Sequence, residues 1–311
     1  MYRFPIFVLS ILIFYLISCS EDGTGPKPKP PGYQEDIPWP SLADTPWPIF
    51  HGDAQSTGRS PFAGPVEGIV LQKLEAPNSQ AGVIVGFDST FYFTWKYGLI
   101  ASDFSGNKKW DILIGRELTT TPLISNDSVI FTANGALRTI YAINLDGEIR
   151  WEYKASASIW DLTLGIDLAG NIYFVDFGKD LNALSKDGEL LWQLHDERFL
   201  AGQDVTLSFS PDGNTLYLQG IDVSLLAIDI DQKSVKWVFG EKKLKTGPVI
   251  DSQGNIYIFP DADSESDNYF YSLKPTGEIR WQFKHEEKYQ YVNIEPSIDR
   301  NGNIFFGGDT L

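Results

Sequence analysis

Five tryptophans recur at nearly constant spacing, and this repeat constrains the fold of the chain more than any other feature. They are 41, 41, 45 and 44 residues apart and lie at Trp110, Trp151, Trp192, Trp237 and Trp281. Each ends a phrase that begins with Ala or Ser and contains a turn, marked by Ser-Gly, Asp-Gly or Thr-Gly in all copies but the fourth. Glycine fits such a turn because it adopts positive φ without a Cβ clash. The phrase predicts two outer strands joined by a tight turn, with Trp pointing inward from the second strand.

A second phrase predicts the inner half of the same unit. Its copies lie at 121–131, 165–173, 211–217, 248–257 and 296–305. Four copies place Gly-Asn before residues that favour strands, which is a hairpin signal. A period of 40 to 45 residues with four strands and no helical pattern is typical of a β-propeller made of four-stranded antiparallel blades, so an all-β fold is predicted. Such blades pack side by side because one blade cannot bury both of its faces.

The repeat boundaries predict five complete blades and part of a sixth. Complete blades are expected at 79–112, 116–154, 160–194, 204–239 and 245–284. A sixth begins at Tyr291, and the sequence ends at Leu311, where its third strand would begin. Segment 69–74 is interpreted as an outer strand that joins the last blade and closes the ring, which implies a parent chain of about six to eight blades. An open arc of five and a half blades is the alternative.

The repeated phrase, Ala-x-(Asp/Asn)-x-x-Gly-x-x-x-Trp, resembles the tryptophan docking motif of the pyrroloquinoline-quinone-like (PQQ-like) repeat. Segment 47–60, Trp-Pro-Ile-Phe-His-Gly-Asp-Ala-Gln-Ser-Thr-Gly-Arg-Ser, is similar to the lead-in before the first blade of many bacterial members. The resemblance covers residues 45–311 and includes quinoprotein dehydrogenases, the outer-membrane barrel-assembly lipoprotein and many binding proteins. It implies that the five tryptophans are structural docking residues between adjacent blades, with the indole nitrogen linking neighbouring sheets.

The first residues predict export and lipid attachment. Arg3 precedes an apolar run at 6–17, which is too short to span a membrane and has the flanks of a signal peptide. The tetrapeptide 16–19, Leu-Ile-Ser-Cys, matches a bacterial lipobox, so we expect residues 1–18 to be a signal peptide and Cys19 to carry the lipid. Cys19 is the only cysteine, which leaves no disulfide. An unmodified thiol near a cleaved signal is the alternative.

Residues 19–44 are predicted to be a tether between this anchor and a propeller domain at 45–311. Segment 20–32 is rich in Pro and Gly and nearly free of apolar residues, so it cannot build a core. Glu21 and Asp22 resemble an acidic surface-export signal, although a solvated linker accommodates two charges equally well. We therefore expect an outer-membrane lipoprotein of the cell envelope that faces either the periplasm or the cell surface.

The charge of the chain argues against a nucleic-acid partner. The net charge is −16 and becomes about −17 when Arg3 leaves with the signal peptide. Such a protein repels polyanions, and nucleic-acid binding needs clustered Lys and Arg. The acidic surface favours solubility, and attraction of cations or basic partners is the alternative. We expect the propeller to be a monomer.

No catalytic constellation is found in the sequence, so no enzyme activity is predicted. A quinoprotein dehydrogenase would need a carboxylate base, calcium ligands and, in many members, adjacent cysteines, whereas this chain has a single cysteine. His51, His195 and His285 have no metal-binding spacing, and we expect them at the surface or at blade edges. Trp95 and Trp160 fall outside the repeat, and each is interpreted as loop or interface packing, with a stacking platform for a ligand as the alternative.

One acidic loop has the composition of a cation site. Segment 261–268 lengthens a turn in the fifth blade and carries alternating acids at Asp261, Asp263, Glu265 and Asp267. Their oxygens suit Ca²⁺, but the loop lacks the glycine and the terminal Glu of a helix-loop-helix calcium site. A solvated insertion held open by its own charge is the preferred interpretation, and a calcium site is the alternative.

Two classes of function remain open. In the first, the propeller is a binding or scaffolding module that presents its loops to a protein, peptide or glycan partner and holds no cofactor. In the second, it is a quinoprotein-like dehydrogenase, or a degenerate relative, that binds pyrroloquinoline quinone in the central channel. The sequence favours the first class, and a visible absorption band with redox cycling would indicate the second.

Overall fold

The computed structural model describes residues 29–70, 73, 81–116, 118–160, 163–202, 205–244, 246–260, 269–284 and 295–306. Residues 31–311 form one compact unit. Several predictions fall outside the described residues, namely the signal peptide, Cys19, the acidic loop 261–268, His285 and the start of the sixth blade at Tyr291. The described residues form strands and turns, and none of them belongs to a helix long and apolar enough to cross a membrane.

Twenty of the strands form five four-stranded antiparallel sheets, and each sheet is one blade whose strands follow the order of the chain. Blade one contains β1 Val83–Val85, β2 Phe91–Trp95, β3 Gly98–Ser102 and β4 Lys108–Leu113. Blade two contains β5 Leu123–Ile124, β6 Val129–Asn134, β7 Thr139–Asn144 and β8 Ile149–Lys154. Blade three contains β9 Gly165–Ile166, β10 Ile172–Val175, β11 Asp180–Leu184 and β12 Leu190–His195. Blade four contains β13 Ser208–Phe209, β14 Thr215–Gln219, β15 Leu225–Asp229 and β16 Ser234–Phe239. Blade five contains β17 Val249–Ile250, β18 Ile256–Ile258, β19 Tyr269–Leu273 and β20 Ile279–Lys284.

The partial sixth blade is a two-stranded sheet of β21 Ser297–Ile298 and β22 Ile304–Phe305. The all-β fold and its four-stranded antiparallel blades are thereby confirmed. Ile69 and Val70, predicted to begin the strand that joins the last blade, are exposed and lie in no strand. The hydrogen bond of the Ile69 N–H is local, to the Glu67 carbonyl at 2.9 Å. Of the rest of that segment, only Lys73 lies within the described residues.

The burial of each strand follows from its position in the blade. The middle strands have neighbouring blades on both faces, so β6 and β14 are buried along their whole length and are rich in apolar residues. The outer strands β4, β8 and β12 alternate between exposed and half-buried residues. This contrast explains why only the outer strands show a period of two in the sequence.

The small residue that begins each repeated phrase lies directly opposite the tryptophan across the two outer strands. The five pairs are Ala101 with Trp110, Ala142 with Trp151, Ala183 with Trp192, Ala227 with Trp237, and Ser272 with Trp281. All five small residues are fully buried, and a β-bulge follows each of them. The pairing gives the repeated Ala or Ser a physical reason, because a larger side chain there would compete with the indole for space.

Three of the tryptophans join neighbouring blades through their indole nitrogens. Each donates its N–H to a backbone carbonyl in the outer turn of the next blade: Trp110 to Leu145 at 2.8 Å, Trp151 to Lys186 at 3.0 Å and Trp237 to Pro275 at 3.0 Å. Every tryptophan of the repeat also packs on an aromatic ring in the second strand of its own blade, with ring centroids 5.7 to 5.9 Å apart. The indole therefore connects two sheets through one hydrogen bond and two apolar faces.

The turn glycines of the repeat lie against these rings. A Cβ on Gly188, which has a φ of +87°, would lie 2.8 Å from the Trp151 ring, and Gly147 and Gly277 pack in the same way on Trp110 and Trp237. The fourth copy replaces the glycine with Gln232. Among the described residues, Trp192 has no indole hydrogen bond of this kind. Trp281 is 39% exposed.

Replacing Gly188 with Ala tests the seam between blades two and three. We expect a loss of about 2–4 kcal/mol in the free energy of unfolding, because the new methyl group combines an unfavourable positive φ with overlap on the Trp151 ring. Gly170→Ala is the matched control, since Gly170 has a φ of +90° but a Cβ there would meet its nearest atoms only at 4.0 Å. Urea unfolding measures both variants, and equal losses would contradict a packing role for the glycine.

Candidate functional site

Residues 34–59 of the chain, which we call the axial segment, run past the innermost strands of all six sheets. The carbonyls of this segment accept hydrogen bonds from backbone N–H groups of the innermost strands in five sheets. These bonds join Val85 to Trp47, Ile124 to Pro48, Phe209 to Ala54, Ile250 to Gln55 and Ile298 to Thr57, at 2.8 to 3.0 Å. The remaining sheet is joined by the indole N–H of Trp39, which donates to the Ile166 carbonyl at 2.9 Å. One segment therefore contacts the inner strand of every blade.

This arrangement corrects the predicted boundary between tether and propeller. Residues 31–44 were expected in the tether, but the folded unit begins at Pro31. The Gln34 N–H donates to the Arg300 carbonyl at 2.8 Å, and Leu42 forms a β-bridge with Ser125. The physical reason is that this stretch contains residues that bury apolar surface, including Leu42 in the core.

The axial segment reverses direction at residues 51–58, which we call the axial turn. The Gly58 N–H donates to the His51 carbonyl at 2.9 Å and closes the turn. Inside it, the Asp53 carboxylate accepts hydrogen bonds from the backbone N–H groups of Gln55 and Thr57, at 3.1 and 2.9 Å, and from the Thr57 hydroxyl. Burial raises the pKa of Asp53 despite these bonds. The turn is thus held by its own side chains.

His51 is the first residue of the axial turn and forms an ion pair with Glu295. Its Nε2 is 2.7 Å from the Glu295 carboxylate, and its Nδ1 is 3.3 Å from the Ser56 carbonyl. The two side chains are only 20% and 12% exposed, so the predicted surface position of His51 is wrong. The reason is that the lead-in enters the propeller. His195 is 55% exposed on the rim beside Asp180 and Glu197, where a surface histidine was expected.

Glu295 also ties together the links that precede blades four, five and six. Its second oxygen accepts hydrogen bonds from the Thr206 hydroxyl at 2.7 Å and from the Gly247 N–H at 3.1 Å. The Thr206 N–H in turn donates to the Gln219 side chain at 2.7 Å. A Cβ on Gly247 would approach Glu295 to 2.8 Å and Thr206 to 2.3 Å, so only glycine leaves room for the carboxylate.

The position of Glu295 in the repeat makes it unusual. Thr206, Gly247 and Glu295 each lie two positions before the first strand of their blade. The residues at this position in blades two to six are Thr121, Thr163, Thr206, Gly247 and Glu295. Glu295 is the charged member of this series. Sequence reasoning missed it, although alignment of the repeats at this position would have shown an acid where blades two to five have Thr or Gly.

The pKa shifts of both partners favour the charged form of the pair. Burial disfavours the imidazolium of His51, but the hydrogen bond and the negative charge of Glu295 outweigh this effect and raise the pKa of His51. Burial likewise disfavours the Glu295 carboxylate, yet the bonds from His51 and Thr206 outweigh it and lower the pKa of Glu295. Such a pair fixes geometry, because removal of one partner leaves the other charge buried.

The other sequence candidates are not brought together with this cluster. Trp95, in blade one, packs edge-on against Tyr97 with ring centroids 5.0 Å apart. Trp160 lies in the link between blades two and three, where a Cβ on Gly135 would lie 2.8 Å from its Cα. Trp95 is the last residue of β2, whereas Trp160 is a link residue. Within the described ranges, no group of three His, Cys, Asp or Glu side chains has an arrangement that suits a metal ion.

A groove of about 480 Å³ runs between residues 58–63 and residues 297–301. Two of its charged lining residues, Arg59 and Arg300, pair with Asp36 at 3.3 and 2.8 Å. A third, Asp299, accepts hydrogen bonds within its own turn. The groove therefore presents mainly apolar and backbone surface rather than a reactive group.

Comparison with known proteins gives one family and several similar solved structures. The sequence profile of the family described as outer membrane protein assembly factor BamB matches residues 67–283. A search of curated proteins found no significant match. The quinohemoprotein alcohol dehydrogenase of Comamonas testosteroni has a TM-score of 0.58 and 15% identity, over 85% of this chain and 52% of that chain. BamB from Moraxella catarrhalis has a TM-score of 0.45 and 16% identity, over 72% of this chain and 83% of that chain.

A protein of unknown function from Bacteroides caccae has a TM-score of 0.46 and 17% identity, over 68% of this chain and 83% of that chain. The present chain spans about half the length of the dehydrogenase. At these identities a structural likeness shows the fold alone, since one fold hosts many functions. The dehydrogenase match is thus a match of propeller architecture.

Deletion of the axial segment should abolish cooperative folding. Five inner-strand N–H groups lose their acceptors at about 1–3 kcal/mol each, which approaches the whole stability of a domain, about 5–15 kcal/mol. A chain that begins at residue 59 should therefore show no cooperative urea transition and no near-ultraviolet circular dichroism. A chain that begins at residue 31 is the control and should unfold cooperatively. A cooperative transition in the shorter chain would contradict the central role of this segment.

Proposed function

Because this chain belongs to the family described as outer membrane protein assembly factor BamB, we propose that it is a cell-envelope lipoprotein whose propeller binds or scaffolds a partner. The partner is a protein, a peptide or a glycan, and Cys19 carries the lipid anchor. The observation that carries the proposal is the filled axis. Since the chain occupies its own central channel, contact with a partner falls to the loops at the ends of the blades.

The two ends of the blades differ in character. One end, the turn face, carries the tight turns within the inner and outer hairpins. In three of the inner turns an aspartate, Asp167, Asp251 or Asp299, accepts the backbone N–H of the asparagine four residues later, at 2.7 to 2.9 Å. The polar groups of these turns are hydrogen-bonded within the turn itself. They leave few groups free to recognise a partner.

The other end, the link face, carries the loops between second and third strands and the links between blades. It includes exposed Phe177, which lies against Gly202, and the link residue Trp160. Longer and less regular loops on a rigid scaffold are the usual location of binding residues. We therefore place the partner surface on the link face.

A quinoprotein function is less well supported by the residues present. A quinone on the axis would have to displace the axial segment, whose hydrogen bonds reach every blade. The chain also has a single cysteine, so it cannot supply the cysteine pair found in many members. The residues of the axis do not fit this cofactor, and the binding function is preferred.

The anchor is tested by replacing Cys19 with Ala in the full chain. We expect loss of radiolabelled fatty acid from the protein and its release from the membrane fraction, because the thiol and the new amino group that accept the acyl chains are absent. Ser20→Ala leaves the cysteine intact and serves as the control. Lipid labelling that survives in Cys19→Ala would contradict the anchor without bearing on the partner surface.

The partner surface is tested by photo-crosslinking in cells. Benzoylphenylalanine in place of Phe177 probes the link face, and the same residue in place of Phe104, in an outer turn, probes the turn face. Both phenylalanines have similar exposure, 48% and 54%. We expect a discrete adduct from position 177 only. Adducts from position 104 alone, or a visible quinone band with redox cycling in the purified protein, would contradict the proposal.

A further inference from the structure

The ion pair between His51 and Glu295 joins two parts of the chain that are far apart in sequence. His51 belongs to the axial turn, whereas Glu295 precedes β21 of the partial sixth blade. Two further contacts lie beside this connection. The Ile298 N–H donates to the Thr57 carbonyl at 2.9 Å, and a Cβ on Gly58 would lie 3.0 Å from the Ser297 side chain. The inner edge of the sixth blade thus rests on the axial turn.

The surroundings of His51 satisfy only its protonated form. Both ring nitrogens have an acceptor nearby, since Nδ1 is 3.3 Å from the Ser56 carbonyl and Nε2 is 2.7 Å from the Glu295 carboxylate. The second contact is an ion pair rather than a well-directed hydrogen bond, because the Oε2 atom of Glu295 has no partner of hydrogen-bond geometry. An imidazolium donates from both nitrogens, whereas a neutral imidazole has one N–H and one acceptor nitrogen. Loss of the proton therefore leaves one acceptor facing a lone pair. It also leaves the Glu295 carboxylate buried without a counter-ion.

We propose that His51 and Glu295 form a pH-operated latch that holds the sixth blade to the axial turn and releases it when His51 loses its proton. The released part is residues 295–306, which contain β21 and β22. Among the described residues, those of blades one to three make no hydrogen bond or ion pair with His51 or Glu295. The packing of these blades stays unchanged when the latch opens.

Few other charges act on the latch. Among the described residues, the charged groups that act on His51 are Glu295 and Asp53, and the one that acts on Glu295 is His51. Thr206 and Gly247, which contact Glu295 from the neighbouring links, are uncharged. Asp53 is buried in the axial turn, and Arg59 acts on it rather than on the pair. On the alkaline side, His51 is therefore the group whose titration opens the latch.

The direction of the pH dependence follows from the two shifts. The pKa of His51 is raised in the folded protein. Its stabilisation of the closed latch is therefore complete below the ordinary pKa of 6.5 and is lost as the pH rises through the raised pKa. The pKa of Glu295 is lowered. Its stabilisation of the closed latch is therefore complete above the ordinary pKa of 4.5 and is lost as the pH falls through the lowered pKa. The latch is closed between these limits and opens on the alkaline side.

Hydrogen exchange at pH 6 to 9, corrected for the intrinsic rate, tests the latch in the full chain. We expect protection of peptides covering 295–306 to fall by up to about tenfold per pH unit between the ordinary pKa of 6.5 and the raised His51 pKa, and to level off above it, because the closed form binds the proton more tightly than the open form. Peptides from blade two, 129–154, should keep their protection. His51→Gln should show low protection with no pH step, since glutamine cannot titrate.

His195→Gln is the matched control, because His195 also lies between two carboxylates but on the exposed rim. It should retain the pH step of the wild type. Unchanged protection of 295–306 from pH 6 to 9, an equal step in blade two, or a step that persists in His51→Gln would overturn the proposal. If His51→Gln fails to fold, the wild-type NMR titration decides. A His51 pKa below 6.5, or one that differs from the pH at which protection levels off, would also overturn the proposal.

Discussion

The hydrogen bonds between the axial segment and the innermost strands are the constraint on which the rest of the structure depends. These inner strands are only two or three residues long, and without a partner their N–H groups would form an unpaired edge around the axis. The axial segment supplies the acceptors, from Trp47 to Thr57, and so replaces an open channel with a paired core. Blade order, the position of His51 and the location of the free loops all follow from this arrangement.

A second constraint acts at the outer seams, where the indole of one blade meets the turn of the next. The same elements recur at these seams: a buried small residue opposite the tryptophan, an aromatic ring beneath it and, where the turn retains it, a glycine against its face. The seam between blades three and four departs from the pattern, since the outer turn of blade four has Gln232 in place of the glycine and Trp192 of blade three has no such indole bond among the described residues. The two interactions have different roles. The tryptophan seams join adjacent blades, whereas the hydrogen bonds of the axial segment join all of the blades.

Periodic features could be predicted from the sequence, and aperiodic ones could not. The tryptophan spacing predicted five blades because each copy makes the same local contacts. The axial segment contributes single, long-range contacts such as that between Gln34 and Arg300, which leave no period to detect. His51 was misplaced for this reason. Glu295 was detectable as a departure from Thr or Gly at one position of the repeat, but its partner lies outside the repeat and is visible only in the structure.

The filled axis is the central claim, since it directs partner binding to the link face and disfavours a cofactor in the channel. Scalar couplings across hydrogen bonds, measured by NMR on the deuterated protein, test it directly. We expect couplings from the amide nitrogens of Val85, Phe209 and Ile298 to the carbonyl carbons of Trp47, Ala54 and Thr57. Absence of these couplings, together with rapid exchange of the same three amides, would contradict the account.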